Sequence, residues 1–231
     1  MAIFDETKLG ITRVVTHMRE PSVRKLLQDY AMRDFYNPNK APVVLAPHDL
    51  EKFRDLVLQG VGNVPITYLE FGVASGSSMR AMMGRFTHPD SRFFGFDSFE
   101  GLPESWNPHP RVNLAEGDFS QRGKLPVIGD DRVKFLQGWI QNTLPLFLDA
   151  DRSGGETHLV HYDADLYSAT LFILCALWHR LPEYYFVMDE FVFDEVVALR
   201  DFAHSHPVEI QFLVQSGDKI FGRLRRVPFS S

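Results

Sequence analysis

The feature that most limits the fold of this chain is an alternation of short apolar segments with segments of helical periodicity, which begins at residue 66. Strands are predicted where apolar residues are concentrated, at residues 66–72, 92–97, 132–138, 158–163 and 184–190. Helices are predicted after four of these strands, at residues 77–86, 139–148, 168–181 and 192–205. Because such alternation is typical of a mostly parallel sheet with helices on both faces, it predicts a doubly wound α/β fold.

The end of the chain departs from this alternation. Residues 208–215 and 219–227 have the character of two further strands, and the turn SGD between them predicts an antiparallel hairpin at the end of the sheet. The second segment contains KIFGRLRR, the only basic stretch of the sequence, which we interpret as a solvated terminal strand.

The N-terminal part of the chain has a helical pattern without strands. Helices are predicted at residues 20–36 and 47–60, and the second is expected to stop at Gly60. We therefore distinguish an N-terminal helical segment, residues 1–60, from an α/β catalytic unit, residues 61–231, within a single domain overall. A lid, a surface for homo-oligomerisation and plain packing remain open as roles for the N-terminal segment.

Composition and charge argue against several classes of protein. The formal net charge is −6 and no long basic block is present, which argues against nucleic acid or an anionic membrane as the main partner. The apolar run ATLFILCALW is much shorter than the roughly 20 residues that span a bilayer. The N-terminus lacks an apolar signal core, and the single cysteine, Cys175, suits a reducing cytosol. We therefore predict a soluble cytoplasmic protein.

The first predicted strand ends in the glycine-containing stretch EFGVASG, residues 70–76. Gly72 and Gly76 allow a tight turn and a close backbone approach to a ligand, with Ala74 and Ser75 between them as further contacts. The stretch is neither GxGxxG nor a phosphate loop. Glu70 would repel a pyrophosphate but attract the ammonium group of a methionine moiety. The turn therefore favours S-adenosylmethionine over NAD, with a purely structural turn as the alternative.

Four further residues are candidates for the same cofactor site. Asp97, with Ser98 beside it, ends the second predicted strand, where an acid that follows a glycine turn binds ribose hydroxyls. The alternative for Asp97 is a helix N-cap. Asp118 and Trp139 lie near the end of the third strand and could line an adenine pocket by hydrogen bonding and stacking. A loop acid and a core aromatic at a helix start are equally good interpretations of these two residues.

Acidic side chains follow two successive predicted strands. Asp163 and Asp165 end the stretch HYDAD, and Asp189 and Glu190 end YYFVMDE. If the two strands are neighbours, these carboxylates converge and repel one another, which a bound divalent cation relieves. Ligands that are all oxygen atoms suit Mg²⁺, although calcium or manganese is a further option. The alternative is that these acids are helix caps and solvated loop charges.

We assign separate roles to these residues. Asp163, Asp189 and Glu190 are the predicted metal ligands, and Asp165 is the predicted general base, which takes a proton from a substrate hydroxyl. His161 is two residues before Asp163 on the same strand face and is a further catalytic candidate, as a second base or a fourth ligand. A buried histidine with hydrogen-bonded ring nitrogens is the alternative.

Several stretches together resemble the macrocin O-methyltransferase-like family. They are YLEFGVASGSSMRAM, GFDSFEGLPESW, GDF, GWIQNTLP, HYDADLYSAT and MDEF. Members of this family include metal-dependent methyltransferases that act on sugar hydroxyls of macrolide and aminocoumarin antibiotics. The resemblance implies a class I methyltransferase Rossmann-like fold, S-adenosylmethionine as methyl donor and usually Mg²⁺. It also implies metal binding by Asp163, Asp189 and Glu190, and a general base at Asp165.

We therefore expect an O-methyltransferase that acts on a sugar hydroxyl of a glycosylated small molecule in natural-product biosynthesis. A polysaccharide or another polyol is the alternative acceptor, and a non-catalytic protein that binds S-adenosylmethionine is the alternative class. The chain departs from the family where Asp189 is followed by Glu190, since two aspartates are usual there. The family's usual glycine pair before that strand is replaced by LPEYY.

Overall fold

The computed structural model describes residues 21–36, 43–109, 112–150 and 157–228. Residues 1–20 of the predicted N-terminal segment lie outside the described residues. The helices are α1 Pro21–Asp34, α2 Leu50–Val61, α3 Ser77–Met83, α4 Ile140–Ala150, α5 Tyr167–Trp178 and α6 Val196–Ser205. The strands are β1 Val43–Leu45, β2 Ile66–Phe71, β3 Arg92–Asp97, β4 Trp106–His109, β5 Val112–Leu114, β6 Val133–Gln137, β7 Thr157–Tyr162, β8 Glu183–Met188, β9 Val208–Ser216 and β10 Lys219–Arg226. A π-helical turn, Phe191–Glu195, precedes α6.

Eight of the strands form one sheet, in the order β1-β9-β10-β8-β7-β2-β3-β6. Strand β10 is antiparallel to both of its neighbours, β8 and β9, and the other neighbouring strands are parallel. Strands β4 and β5 form a separate two-stranded hairpin. The predicted mostly parallel sheet with a C-terminal antiparallel hairpin is confirmed.

Helices cover both faces of the sheet, as the alternation predicted. On one face α1, α4, α5 and α6 pack on side chains such as Phe71 and Phe96, and on the other α2 and α3 pack on side chains such as Tyr68 and Phe93. All six residues of β2 are buried, as expected for a parallel strand enclosed between two helical layers. Among the described residues, no helix has the length and the apolar character needed to cross a membrane.

The end of α2 was predicted wrongly. Gly60 does not stop this helix, which continues to Val61 and is capped by Gly62, whose N–H donates to the Leu58 carbonyl. Gly60 has a packing role instead, because a Cβ at this position would lie 2.6 Å from Cε1 of Phe221. The glycine therefore allows α2 to lie close to the sheet.

The position of the basic stretch was also predicted wrongly. Residues 219–226 form a strand, as predicted, but this strand, β10, is not a solvated terminal strand, because it lies between β9 and β8. Ile220, Phe221 and Leu224 are buried. Strand β1 and the β4–β5 hairpin were not predicted, since each is only three or four residues long and has little room for a periodic pattern.

Candidate active site

The glycine turn after β2 packs directly against the end of β7. Gly72 has φ 89°, and a Cβ at this position would lie 1.8 Å from the backbone oxygen of Asp163. The Asp163 N–H donates to the Phe71 carbonyl at 2.9 Å, which fixes the two strand ends side by side. Only glycine meets both requirements, so the turn and the first acidic residue are placed together by one close backbone contact.

Asp97 holds this turn in shape. Its Oδ2 accepts the backbone N–H groups of Val73 and Ala74, each at 2.8 Å. Its Oδ1 accepts the N–H of Phe99 at 2.7 Å. The next element after Asp97 is strand β4 and not a helix, so Asp97 is not a helix N-cap. The carboxylate is half-buried and also faces the neighbouring cavity.

A cavity of about 300 Å³ opens at the carboxyl ends of the parallel strands, where open α/β sheets bind ligands. Eight of the predicted site residues line it: Gly72, Ala74, Asp97, Ser98, Trp139, Asp163, Asp165 and Glu190. Trp139 precedes α4, and its carbonyl accepts the N–H groups of Asn142 and Thr143, which fixes the start of that helix. Five of the predicted cofactor residues and three of the four predicted acidic residues thus share one cavity, and Asp189 does not line it.

The other four predicted cofactor residues lie outside the cavity lining. Glu70 is fully buried and accepts a hydrogen bond from the Tyr68 hydroxyl at 2.8 Å. Burial raises the pKa of Glu70 to about 7. The Ser75 carbonyl accepts a hydrogen bond from Arg80, and Gly76 is the N-terminal cap of α3.

Asp118, the fourth of these residues, supports the loop that follows β3. Its backbone carbonyl accepts the N–H of Leu102, which lines the cavity, and its Oδ2 accepts the N–H of Ala115. A Cβ at Gly101 would lie 2.5 Å from the same carbonyl oxygen, so the two loops are in close contact.

The three acids that line the cavity are crowded together. Ligand-capable oxygen atoms of Asp163, Asp165 and Glu190 all lie within 4.8 Å of one another. Burial raises the pKa of each carboxyl, and the neighbouring acids add to the effect. The pKa of Asp165 rises to about 7 and that of Glu190 to about 8, while the pKa of Asp163 rises well above its usual value. Three like charges in this space therefore favour a positive partner.

Asp189 does not line the cavity and is held by His161 and Lys219. Its Oδ1 contacts Nε2 of His161 at 2.8 Å, and its Oδ2 accepts a hydrogen bond from Nζ of Lys219 at 2.6 Å. Burial alone would raise the pKa of Asp189, but His161 and Lys219 outweigh burial and lower it. Asp189 remains close to Asp163, since ligand atoms of these two residues and of His161 lie within 4.8 Å of one another.

His161 is buried, and both of its ring nitrogens are engaged. Nδ1 lies 2.7 Å from the Tyr68 hydroxyl, and Nε2 contacts Asp189. Since Tyr68 also bonds Glu70, a continuous hydrogen-bonded chain runs from Glu70 to Asp189 beneath the cavity. This arrangement matches the buried, hydrogen-bonded histidine that the sequence left open as the alternative.

Three charged residues near the acids were not predicted from the sequence. Lys219 begins β10, and only the position of that strand beside β8 brings it to Asp189. Glu195 is fully buried, and its Oε2 accepts the N–H of Glu190. Asp194 accepts hydrogen bonds from Gln28 in α1 and Trp106 in β4. The sequence feature that could have pointed to Lys219 is a basic residue at the start of the last strand, but this strand was interpreted as solvated.

The chain matches a known protein family over most of its length. Residues 13–215 match the family described as Macrocin-O-methyltransferase (TylF), and this range is most of the chain. The chain belongs to the TylF family. The resemblance that the sequence motifs indicated is therefore confirmed.

Two curated relatives are O-methyltransferases by name. One is the 8-demethyl-8-(2,3-dimethoxy-alpha-L-rhamnosyl)-tetracenomycin-C 4'-O-methyltransferase of Streptomyces olivaceus, 31% identical over 160 residues, which are 62% of this chain and 58% of the relative. The other is the mycinamicin III 3''-O-methyltransferase of Micromonospora griseorubida, 27% identical over 166 residues, which are 62% of this chain and 61% of the relative. The TylF-family chain thus spans about three-fifths of the length of these relatives.

Solved structures show the same fold. The calicheamicin methyltransferase CalS11 is similar with a TM-score of 0.55 and 21% identity, over 95% of this chain and 91% of CalS11. The O-methyltransferase NovP is similar with a TM-score of 0.53 and 18% identity, over 90% of this chain and 100% of NovP. The TylF-family chain therefore has the class I methyltransferase fold that was predicted.

Proposed function

We propose that this protein is an S-adenosylmethionine-dependent O-methyltransferase that methylates a sugar hydroxyl of a glycosylated small molecule in natural-product biosynthesis. The observation that carries the proposal is the shared cavity, in which a glycine turn and Asp97 lie beside Asp163, Asp165 and Glu190. A methyl donor at the turn would have its reactive end next to groups that can activate an oxygen nucleophile. The names of the two curated relatives support a sugar acceptor.

The donor site is formed by the turn and the residues around it. When bound, S-adenosylmethionine supplies an electrophilic methyl group on a positively charged sulfonium. Gly72 lets the turn lie directly against the Asp163 backbone, and Asp97 orders the turn while it faces the cavity. Trp139, with 41% of its surface exposed, offers a ring for stacking against the adenine. Acidic surroundings also suit the positive sulfonium.

The acidic cluster fits a divalent cation. Its available ligand atoms are carboxylate oxygens, and Oε2 of Glu190 is buried without a hydrogen-bond partner among the described residues. Asp163 belongs to two groups of side chains whose ligand atoms lie within 4.8 Å of one another, one with Asp165 and Glu190 and the other with Asp189 and His161. We propose Asp163, Asp189 and Glu190 as the residues that hold the cation, with Mg²⁺ the best match to oxygen ligands. When bound, the cation supplies charge stabilisation for an oxygen that loses its proton.

Asp165 is the proposed general base. It lines the cavity, and its pKa of about 7 is close to the value that lets a carboxylate accept a proton near neutral pH. Its backbone has φ 61°, which is uncommon for a non-glycine residue and is typical of functional sites. His161 and Lys219 contact Asp189 and hold it in place, and they affect the other acids through it.

Titration calorimetry with S-adenosylhomocysteine tests the donor site. We expect one-to-one binding to the purified protein, at least roughly tenfold weaker in Asp97→Ala, because the turn loses the acceptor of two N–H groups. Asp90→Ala is the matched control, since Asp90 precedes the opposite end of the same strand and its carboxylate is 81% exposed. A folded protein that does not bind the ligand would contradict the proposal.

Methyl transfer to glycosylated acceptors tests the catalytic step. We expect transfer in the presence of Mg²⁺, loss of transfer after chelation and loss in Asp165→Asn. Tight binding of S-adenosylhomocysteine without transfer to any sugar or polyol would favour a non-catalytic binding protein. Transfer to a polysaccharide but not to small glycosides would change the acceptor and keep the chemistry.

A further inference from the structure

We propose that Lys219 is a built-in positive charge of the acidic cluster, which competes with a divalent cation for Asp189 and thereby keeps the affinity for that cation low. The inference rests on the proposed metal site. Lys219 lies outside the acidic motifs in the sequence, and those motifs do not indicate a role for it.

The C-terminal hairpin places Lys219 at the cluster. Ile220, the next residue of β10, pairs with Met188, the last residue of β8, so Lys219 lies beside the point where the acids begin. The hairpin tip is fixed to the same region, because the Phe191 N–H donates to the Asp218 carbonyl at 2.9 Å. The side chain of Lys219 is only 20% exposed, and it is therefore directed into the protein rather than into solvent.

The contacts of Lys219 use an oxygen that a cation would need. Its Nζ lies 2.6 Å from Oδ2 of Asp189, while His161 occupies Oδ1 of the same carboxylate. Both oxygens of this proposed ligand are therefore already engaged. In addition, the Lys219 charge interacts favourably with Glu190 and Asp163.

A divalent cation at Asp163, Asp189 and Glu190 has to displace the ammonium group or bind close to it. Either case weakens cation binding, since displacement breaks a largely buried ion pair and proximity places like charges together. Removal of the Lys219 charge leaves His161 as the remaining contact of Asp189 and frees Oδ2, so the repulsion among the acids favours a divalent cation more strongly.

Calorimetric titration of Mn²⁺ into the full chain, without methyl donor or acceptor, tests this competition. We expect weak binding by the parent and roughly tenfold or more tighter binding by Lys219→Met. Lys219→Arg is expected to stay close to the parent because it retains the charge. Lys219→Gln provides a second neutral variant if the methionine variant does not fold, and circular dichroism confirms the folded state of each.

Two further variants separate the site from a general effect of charge. Arg225→Met removes one positive charge from the same strand, at an exposed residue paired with Glu209, and is expected to bind Mn²⁺ like the parent. Asp163→Asn is expected to remove binding both alone and combined with Lys219→Met.

The outcomes distinguish this inference from the proposed function. Equal Mn²⁺ affinity in the parent and in both neutral Lys219 variants would overturn the role of Lys219 and leave the metal site standing. Equal tightening in Arg225→Met would also overturn it, since the effect would then be one of net charge. Absence of Mn²⁺ binding in every folded variant would overturn the metal site and this inference together.

Discussion

Gly72 shows how one residue without a side chain positions the site. Its backbone has φ 89° and lies against the Asp163 backbone, so a side chain would be strained and would also clash. We expect Gly72→Ala to lower the free energy of unfolding by about 3 kcal/mol or more and to abolish binding of S-adenosylhomocysteine. Urea denaturation and calorimetry measure the two effects.

Gly62 offers a matched control for this substitution. It has φ 90°, nearly the same as Gly72, but a Cβ there would meet no atom within 4 Å. Gly62→Ala therefore carries backbone strain alone, and we expect it to lower stability by about 1–3 kcal/mol with ligand binding retained. Equal losses of stability and of binding in the two variants would show that the close contact with Asp163 is unimportant.

Glu70 gives a pH-dependent test of the buried chain beneath the cavity. Burial raises its pKa from 4.5 to about 7; His161 and Tyr68 oppose this rise, and Asp189 and Asp97 add to it. A raised pKa means that the folded state favours the neutral carboxyl, so the stability that this residue contributes at low pH is lost as pH rises from 4.5 through 7. Glu70→Gln keeps a neutral group at every pH.

We therefore expect Glu70→Gln and the parent to have similar stability near pH 4. Above pH 7 the variant is expected to be more stable by up to roughly 3 kcal/mol, which corresponds to the rise in pKa. Chemical denaturation at a series of pH values measures the difference. Glu104→Gln, at an exposed position, controls for the loss of a carboxylate. A stability difference that is the same at pH 4 and pH 8 would contradict the buried, neutral state of Glu70.

The strands and helices differ in how well the sequence predicted them. Strand β3 was predicted at residues 92–97, the bounds that the structure has, because a parallel strand buried on both faces is a continuous apolar run between polar ends. The end of α2 was missed, since the reason for Gly60 is the Phe221 ring on another strand. Local patterns thus predict elements, but not the contacts between them.

The same distinction applies to the site. The glycine turn, Asp97 and the acids were predictable because each lies at the end of a strand in its own local motif. Lys219 and Glu195 were not, because their closeness to the acids depends on the order of β10 and β8 and on the turn before α6. Information on sheet order is absent from the pattern of any single segment.

The π-helical turn Phe191–Glu195 is linked to α1 and to β4 through the buried carboxylate of Asp194. Asp194 accepts hydrogen bonds from Gln28 in α1 at 3.0 Å and from the ring N–H of Trp106 in β4 at 3.2 Å. We expect Trp106→Phe to lower stability by about 1–3 kcal/mol, because a buried carboxylate loses one of its donors. Hydrogen exchange in α1 is expected to become faster, since this helix is held by the same residue.

Trp139→Phe is the control for this prediction. Trp139 is 41% exposed, lines the cavity and belongs to a different element, so its substitution is not expected to change exchange in α1. Unchanged exchange in α1 of Trp106→Phe would mean that Asp194 does not couple the hairpin to the helix.

The whole molecule has a formal net charge of −6, and three of its acids, Asp163, Asp165 and Glu190, are crowded together where the parallel strands end. Burial and like charges raise the pKa of Asp163, so ionisation of this residue destabilises the fold unless a cation is bound. Stability and the proposed metal-binding role therefore oppose each other at this position. A substitution that removes the charge is expected to stabilise the protein alone and to remove its response to a metal.

We expect Asp163→Asn to melt at a higher temperature than the parent when a chelator is present. Mg²⁺ at a hundredfold excess over the dissociation constant is expected to stabilise the parent by about 2.7 kcal/mol, which raises its melting temperature, and to leave the variant unchanged. The order of the two proteins then reverses, since only the parent gains from binding. Thermal denaturation with and without Mg²⁺ measures this reversal. An equal rise in both proteins would place the cation elsewhere, and the acidic cluster would then need another positive partner.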